Sequence, residues 1–397
     1  MRKILFVNAL ILLVLFSILD AAMFFFLPPS YGWRFPEYRV KLPPDVGGNS
    51  RYPKGYFVQH DQRGFDIGKN QTGDHWVDGV SYPIWSNSLG CFDIDHSDID
   101  QYVYFAGDSF TWGYTPFEQN FGTVTEQRID TPIFKCGVTN TGQQHQIEKL
   151  KEIASEIQNP PGAIFVFYYS NDVANDYAHP HSTVVDGWQA DNVSLDSNKQ
   201  LIRHSQQEMV TKVQEKLVEI EEQKKVRKLS KNKFKANLKY YSLSINILVH
   251  LLDSFAAMMK PDELGSDGKK LEQAQRNFYN LSVEKDGVHW YLDNPKAKNN
   301  KAALLEFANY ANTVNAELIV ILIPPKTRAT DANWYTEVRQ FLTNNSIKNL
   351  DLASKFEEKG LTASDIYWPI DGHLNAEGNK NVANILIEEY STFLDMR

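Results

Sequence analysis

The chain has 397 residues, 42% hydrophobic and 23% charged, with 49 acidic against 41 basic residues and a net charge of -8. These ordinary globular proportions exclude a wholly disordered chain, and the acidic balance excludes a protein whose main task is to grip nucleic acid. The length exceeds one typical domain, yet a single α/β domain carrying an insertion accounts for it.

Arg2 and Lys3 precede an apolar run over residues 4–19, then Asp20, then a second apolar run over 21–27. Together they come close to the ~20 residues that cross a bilayer. A cleaved signal peptide would end its apolar region near Leu19. No A-x-A site follows and the run continues through Phe26, so residues 1–27 are expected to be a transmembrane anchor rather than a cleaved signal. The leading positive charges place the body outside the cell membrane, periplasmic or extracellular, as a single-pass protein. Cys91 and Cys136 are the two cysteines. They cannot build a four-thiolate zinc site, and no metal is expected. In an exported protein they could pair, although the sequence gives no distance between them.

Residues 28–100, rich in Pro, Gly, Tyr, Trp and Asp, read as an N-terminal extension of irregular or short β structure packed on a larger body. The run YVYFA at 102–106 predicts a buried strand, 146–157 a helix with apolar residues at helical spacing, and AIFVFYY at 163–169 a second strand. Residues 101–178 thus form the first half of a core. Residues 179–300 break the alternation and predict a helical insertion, with a charged helix over 206–239 and a more apolar one over 243–259. Within it, residues 224–239 hold eight Lys or Arg and no acid. That run reads either as a helix against anionic lipid headgroups or as the solvated face of a lid helix. Residues 301–397 complete the core, with helices over 301–314, 334–344 and 379–394 and a strand at 317–323 that ends at Pro324 and Pro325. The alternation implies a three-layer α/β/α fold around a central parallel sheet.

Four segments carry chemistry. Gly107-Asp108-Ser109-Phe110-Thr111-Trp112-Gly113 follows the first core strand, where a strand-to-helix turn projects a serine hydroxyl beside free backbone N–H groups. The bland alternative is a turn with Ser109 as helix N-cap. Pro369-Ile370-Asp371-Gly372-His373-Leu374-Asn375 precedes the last helix and offers an imidazole and a carboxylate together. Ser170-Asn171-Asp172 ends the second core strand, and its Asn amide could face a developing oxyanion. Cys136-Gly137-Val138-Thr139-Asn140-Thr141-Gly142 follows a short apolar run, and its glycines permit close backbone approach. All four lie at predicted C-terminal strand ends, where open α/β sheets place their sites. No G-x-S-x-G, Walker A, G-x-G-x-x-G or H-E-x-x-H motif is present.

This conjunction resembles the SGNH hydrolase superfamily, the GDSL-like esterases: GDSFTWG, the glycine block, SND and DGHLN stand in the family's order. Asn87-Ser88-Leu89-Gly90 is similar to a segment often found ahead of the nucleophile in exported bacterial members. The resemblance implies a flavodoxin-like α/β/α fold with Ser109 as nucleophile, His373 as base and Asp371 as orienting acid. It implies an oxyanion hole made by the Ser109 N–H, a backbone N–H at Asn140 or Gly142, and the Asn171 side chain. Two features depart from the family. Its block-two glycine aligns with Asn140, leaving Gly142 two positions late, and its acid commonly stands three residues before the histidine, where this chain has Ile370. The implied activity is hydrolysis of an O-acyl ester through an acyl-enzyme, without a cofactor. With 8 Trp, 19 Tyr and 23 Phe, an O-acetylated envelope carbohydrate is the expected substrate. The alternatives are an O-acyltransferase to a glycan and a catalytically silent scaffold or binding protein of an envelope polysaccharide pathway.

Overall fold

The computed structural model describes residues 2–26, 52–77, 80–96, 99–196, 200–229, 242, 244, 291–369 and 371–394. The helix expected over 243–259 and the basic run beyond Leu229 lie outside the described residues. The N-terminal apolar run forms α1 (Arg2–Phe26). Val7, Ile11, Leu15 and Ile18 are exposed on it, and the Asp20 carboxylate accepts the Ser244 N–H at 2.7 Å. Among the described residues no helix is long and apolar enough to cross a membrane, so the structure lends the expected transmembrane span no support.

The described part of the N-terminal extension holds two antiparallel hairpins, β1 (Phe57–His60) with β2 (Gly64–Ile67) and β3 (Thr72–Val77) with β4 (Val80–Trp85). The core then runs β5 (Val103–Gly107), α2 (Ser109–Trp112), α3 (Phe121–Glu126), β6 (Ile133–Lys135), α4 (Gln143–Ile157), β7 (Ala163–Tyr168) and α5 (Asp172–Tyr177). Two further hairpins follow, β8 (Ser182–Val185) with β9 (Trp188–Asp191) and β10 (Val193–Leu195) with β11 (Leu201–Arg203). The charged helix α6 (Gln206–Leu229) comes next. After the insertion come α7 (Lys298–Val314), β12 (Glu317–Leu322), α8 (Thr336–Asn344), β13 (Lys348–Asp351), α9 (Leu352–Glu358), α10 (Ala363–Ile366) and α11 (Ala376–Leu394).

The insertion is therefore not helical throughout. Its first stretch is β structure because Asp186 and Gly187 both take positive φ, 49° and 78°, the two-residue turn whose twist matches a hairpin.

The five core strands pair in parallel in the order β13-β12-β7-β5-β6. Counted along the chain, this is the 2-1-3-4-5 order of flavodoxin-like sheets, whose strand direction of growth reverses between the first and third strands. β5 and β7 are buried along their whole length, as strands covered on both faces must be. Alternate residues feed two cores. Tyr104, Ala106, Ile164, Val166, Val320 and Leu322 meet α4, α7 and α8 through Ile147, Leu150, Leu304, Phe307, Val338 and Leu342. Phe105, Phe165, Phe167, Ile319 and Ile321 meet α3, α9 and α11 through Phe121, Phe356, Val382 and Leu386. Truncating one of the central phenylalanines to alanine costs about 3–5 kcal/mol.

The extension is fastened to this body by a buried ion cluster. The Asp66 carboxylate of β2 receives the Lys149 ammonium of α4 at 2.5 Å and also pairs with Arg63. Burial alone would raise its pKa, but Lys149, His145 and Arg63 outweigh that and hold it well below the ordinary carboxylate range. Cys91 and Cys136 are joined in a disulfide, with Cα atoms 4.6 Å apart, which ties the end of the extension to the residue after β6.

Candidate active site

Ser109 is the first residue of α2. The N-cap is Asp108 instead, whose Oδ1 accepts the Phe110 N–H at 2.9 Å, so the serine hydroxyl is not consumed in capping. Gly137 lets the turn sit down: a Cβ there would lie 2.3 Å from the Trp112 backbone nitrogen and 2.8 Å from the Asp108 carbonyl oxygen. Ser109 is 8% exposed.

Its partner arrives from the far end of the chain. His373 Nε2 lies 2.7 Å from Ser109 Oγ, and His373 Nδ1 lies 2.5 Å from Asp371 Oδ1. The same Asp371 oxygen accepts the backbone N–H of His373 at 2.9 Å. This double acceptance explains why a spacing of two residues serves: the carboxylate folds back over its own turn and takes ring and backbone together. Asp365, the nearest rival acid in sequence, instead caps α10 through the Thr362 N–H at 2.8 Å and hydroxyl at 2.6 Å.

The loop carrying Asp371 and His373 is fixed at several points. Tyr367 and Leu374 form a bridge, and the Trp368 N–H donates to the His373 carbonyl at 3.0 Å. Lys326, from the turn after β12, donates to the carbonyls of Trp368 at 2.5 Å and Pro369 at 2.7 Å. The Trp368 indole donates to the Tyr114 carbonyl at 2.8 Å. Neither Lys326 nor Tyr114 stands out in the sequence, because each matters only through segments brought beside it by folding.

A second carboxylate borders Ser109. Asp108 Oδ2 lies 3.4 Å from Ser109 Oγ, and the Asp108 carboxylate also accepts from the Asn171 side chain. Asp108 is wholly buried, and burial pushes its pKa up to about 6 against the lowering effects of the Phe110 N–H, His373, Asn171 and Ser109. Asn171 thus lies beside the turn that carries Ser109, as the N-cap of α5 after β7. The reversal of strand order falls between β5 and β7, so Ser109 and Asn171 flank the crevice where such sheets bind ligands.

The glycine block divides. Asn140 holds the left-handed conformation, φ 60°, which glycine favours most and Asn tolerates, and its side chain donates to Asp191 of β9 at 3.2 Å. Gly142, φ -106°, is the N-cap of α4, with Asp176 so close that a Cβ would meet its Oδ1 at 2.3 Å. Asp176 accepts the N–H groups of Gln143 and Gln144 at 3.1 and 2.9 Å.

Among the described residues, Asp93, His96 and Glu126 have the spacing of metal ligands. Lys135 already bridges the two carboxylates, 2.7 Å from Asp93 and 2.6 Å from Glu126, and so supplies the positive charge a cation would bring.

No protein-family model matches the chain, and no curated protein matches it. Among solved structures it is similar to a lipolytic protein assigned to the G-D-S-L family from Desulfitobacterium hafniense DCB-2, with 11% identity and a TM-score of 0.32, covering 72% of this chain and 100% of that one. A TM-score of that size establishes neither a shared fold nor a shared activity.

Proposed function

We propose that this chain is a serine ester hydrolase that works through an acyl-enzyme on Ser109. The observation that carries the reading is the unbroken array from Ser109 Oγ to His373 Nε2 at 2.7 Å and from His373 Nδ1 to Asp371 Oδ1 at 2.5 Å. His373 takes the serine proton as Ser109 Oγ attacks an ester carbonyl, and Asp371 fixes the ring tautomer and stabilises the imidazolium. His373 then returns the proton to the leaving alcohol as the acyl-enzyme forms, and water resolves it by the same steps in reverse order of partners. The developing oxyanion is met by the Ser109 N–H, which has no acceptor within its helix, by the Asn171 amide, and by the backbone N–H of Asn140. Asn140 takes the place of the family's glycine and has the left-handed backbone that glycine favours, while Gly142 caps α4.

The expected substrate is an O-acetyl ester on an envelope carbohydrate, and no metal or cofactor enters the reaction. An O-acyltransferase differs only in replacing water by a glycan hydroxyl. The Cys91–Cys136 disulfide supports an oxidising, extracytoplasmic compartment, with the apolar helix α1 as the point of membrane attachment. A fluorophosphonate probe tests the reading: it should label Ser109, and labelling should vanish in Ser109→Ala. A silent scaffold would show no labelling in the parent chain. Acetyl, short-acyl and long-acyl esters assayed with and without a glycan acceptor then separate hydrolysis from transfer.

A further inference from the structure

Tyr114 lies flat on the imidazole of His373, with ring centroids 3.7 Å apart and planes 7° from parallel. Two neutral aromatic rings avoid this arrangement, preferring offset or edge-on contacts with centroids about 4.5–7 Å apart. A positive ring over an aromatic face is attracted by the quadrupole of that face. The geometry therefore suits the imidazolium better than the imidazole.

Tyr114 is also held where it is. The Tyr52 hydroxyl donates to the Tyr114 hydroxyl at 3.2 Å, while His75 and Trp112 meet its ring edge-on at 4.9 and 5.6 Å. Its carbonyl accepts the Trp368 indole, and Tyr114 is itself 7% exposed. Phe110 also packs on the imidazole, with ring centroids 4.8 Å apart and planes tilted by 42°. Tyr52 and His75 belong to the N-terminal extension, so that extension reaches the base through one tyrosine ring.

Resting on the hydrolase reading, we infer that Tyr114 is a positioning residue that stabilises the protonated form of His373 and fixes the plane of its ring. The charge on His373 rises as Ser109 gives up its proton, so the contact strengthens towards the transition state. The titratable groups that face the imidazole are Asp371, Ser109 and Asp108, with the Tyr169 hydroxyl beside both carboxylates and Tyr52 and His75 behind Tyr114. All of these remain when Tyr114 alone is changed.

The test is the pH dependence of fluorophosphonate labelling at Ser109 in the full chain, compared among the parent, Tyr114→Phe and Tyr114→Leu. Losing a cation–aromatic contact is expected to move the acid-side inflection of the labelling rate down by ~0.5 pH unit in Tyr114→Leu. Tyr114→Phe keeps the ring and should leave the inflection unmoved, whatever it loses in thermal stability with the Tyr52 bond. If Tyr114→Leu does not fold, Tyr114→Met carries the same comparison. An inflection unmoved in the aliphatic variant overturns the inference while leaving the hydrolase reading intact, as does an equal shift in Tyr114→Phe. A parent chain that labels at no pH overturns the hydrolase reading itself, and the inference with it.

Discussion

Asp371→Asn is the perturbation that bears most directly on the proposed triad. In the folded chain one oxygen, Asp371 Oδ1, takes both the ring N–H and the backbone N–H of His373. An amide in its place removes the negative charge beside the imidazolium and can also present a donor to Nδ1, which favours the wrong tautomer. Charges about 4 Å apart at an effective dielectric of ~20 attract by ~4 kcal/mol, which corresponds to about a thousandfold in rate. The tautomer adds to this, so turnover should fall by roughly 10³–10⁴. The Michaelis constant should change little, since the charge arises only as the reaction proceeds. Steady-state hydrolysis of an activated acetyl ester, with the rate of fluorophosphonate labelling as a second measure, gives both numbers. Activity above a tenth of the parent would refute the assignment of Asp371, and a comparable loss in Asp365→Asn would move the acid to the residue that the structure assigns to capping α10.

Asn171→Ala should lower turnover by a hundred- to thousandfold, the worth of one oxyanion donor, and a change confined to the Michaelis constant would contradict that role. Replacing Cys91 and Cys136 together by serine opens a loop of 45 residues in sequence separation and should lower unfolding free energy by ~4 kcal/mol, read from urea denaturation; an unchanged midpoint would oppose it. His181 is buried, and burial pushes its pKa down to about 4, below its unfolded value of ~6.5. Its contribution is therefore full above pH ~6.5 and fades as the solution is acidified towards pH ~4, by up to about 3 kcal/mol. His181→Asn should lose less stability than the parent between pH 7 and 4.5, and equal losses would show that His181 does not titrate in this way.

What the sequence made legible was decided by how much each segment reports its own surroundings. The strands β5, β7 and β12 could be read because burial on both faces leaves them almost wholly apolar. β13, KNLD, was not read: it is an edge strand with Lys348 exposed and only Asp351 buried, so its composition reflects solvent more than sheet. The hairpin β8–β9 carries a usable signal in Asp186-Gly187, but it lies inside a segment whose composition points to helix. Ser109, Asn171, Asp371 and His373 were legible as candidates because each stands beside a turn that ends or begins an element. Tyr114 and Lys326 were not, since an aromatic ring or an ammonium gains its role only when Trp368, Pro369 and His373 are folded against it.

Ser109 and His373 are 264 positions apart in sequence, and His373 comes on the segment that also brings α11. Val382, Ile385 and Leu386 of that helix complete one of the two cores, and Asn379 accepts the Phe121 N–H at 3.0 Å. During synthesis the first core half is made early, so Ser109 exists for most of that time without His373. Because contacts of such long range form late, the hydroxyl should gain its reactivity only as the last helix closes the second core. On the hydrolase reading, chains cut short before that point would carry an inert serine, so that chemical competence is coupled to completion of the fold.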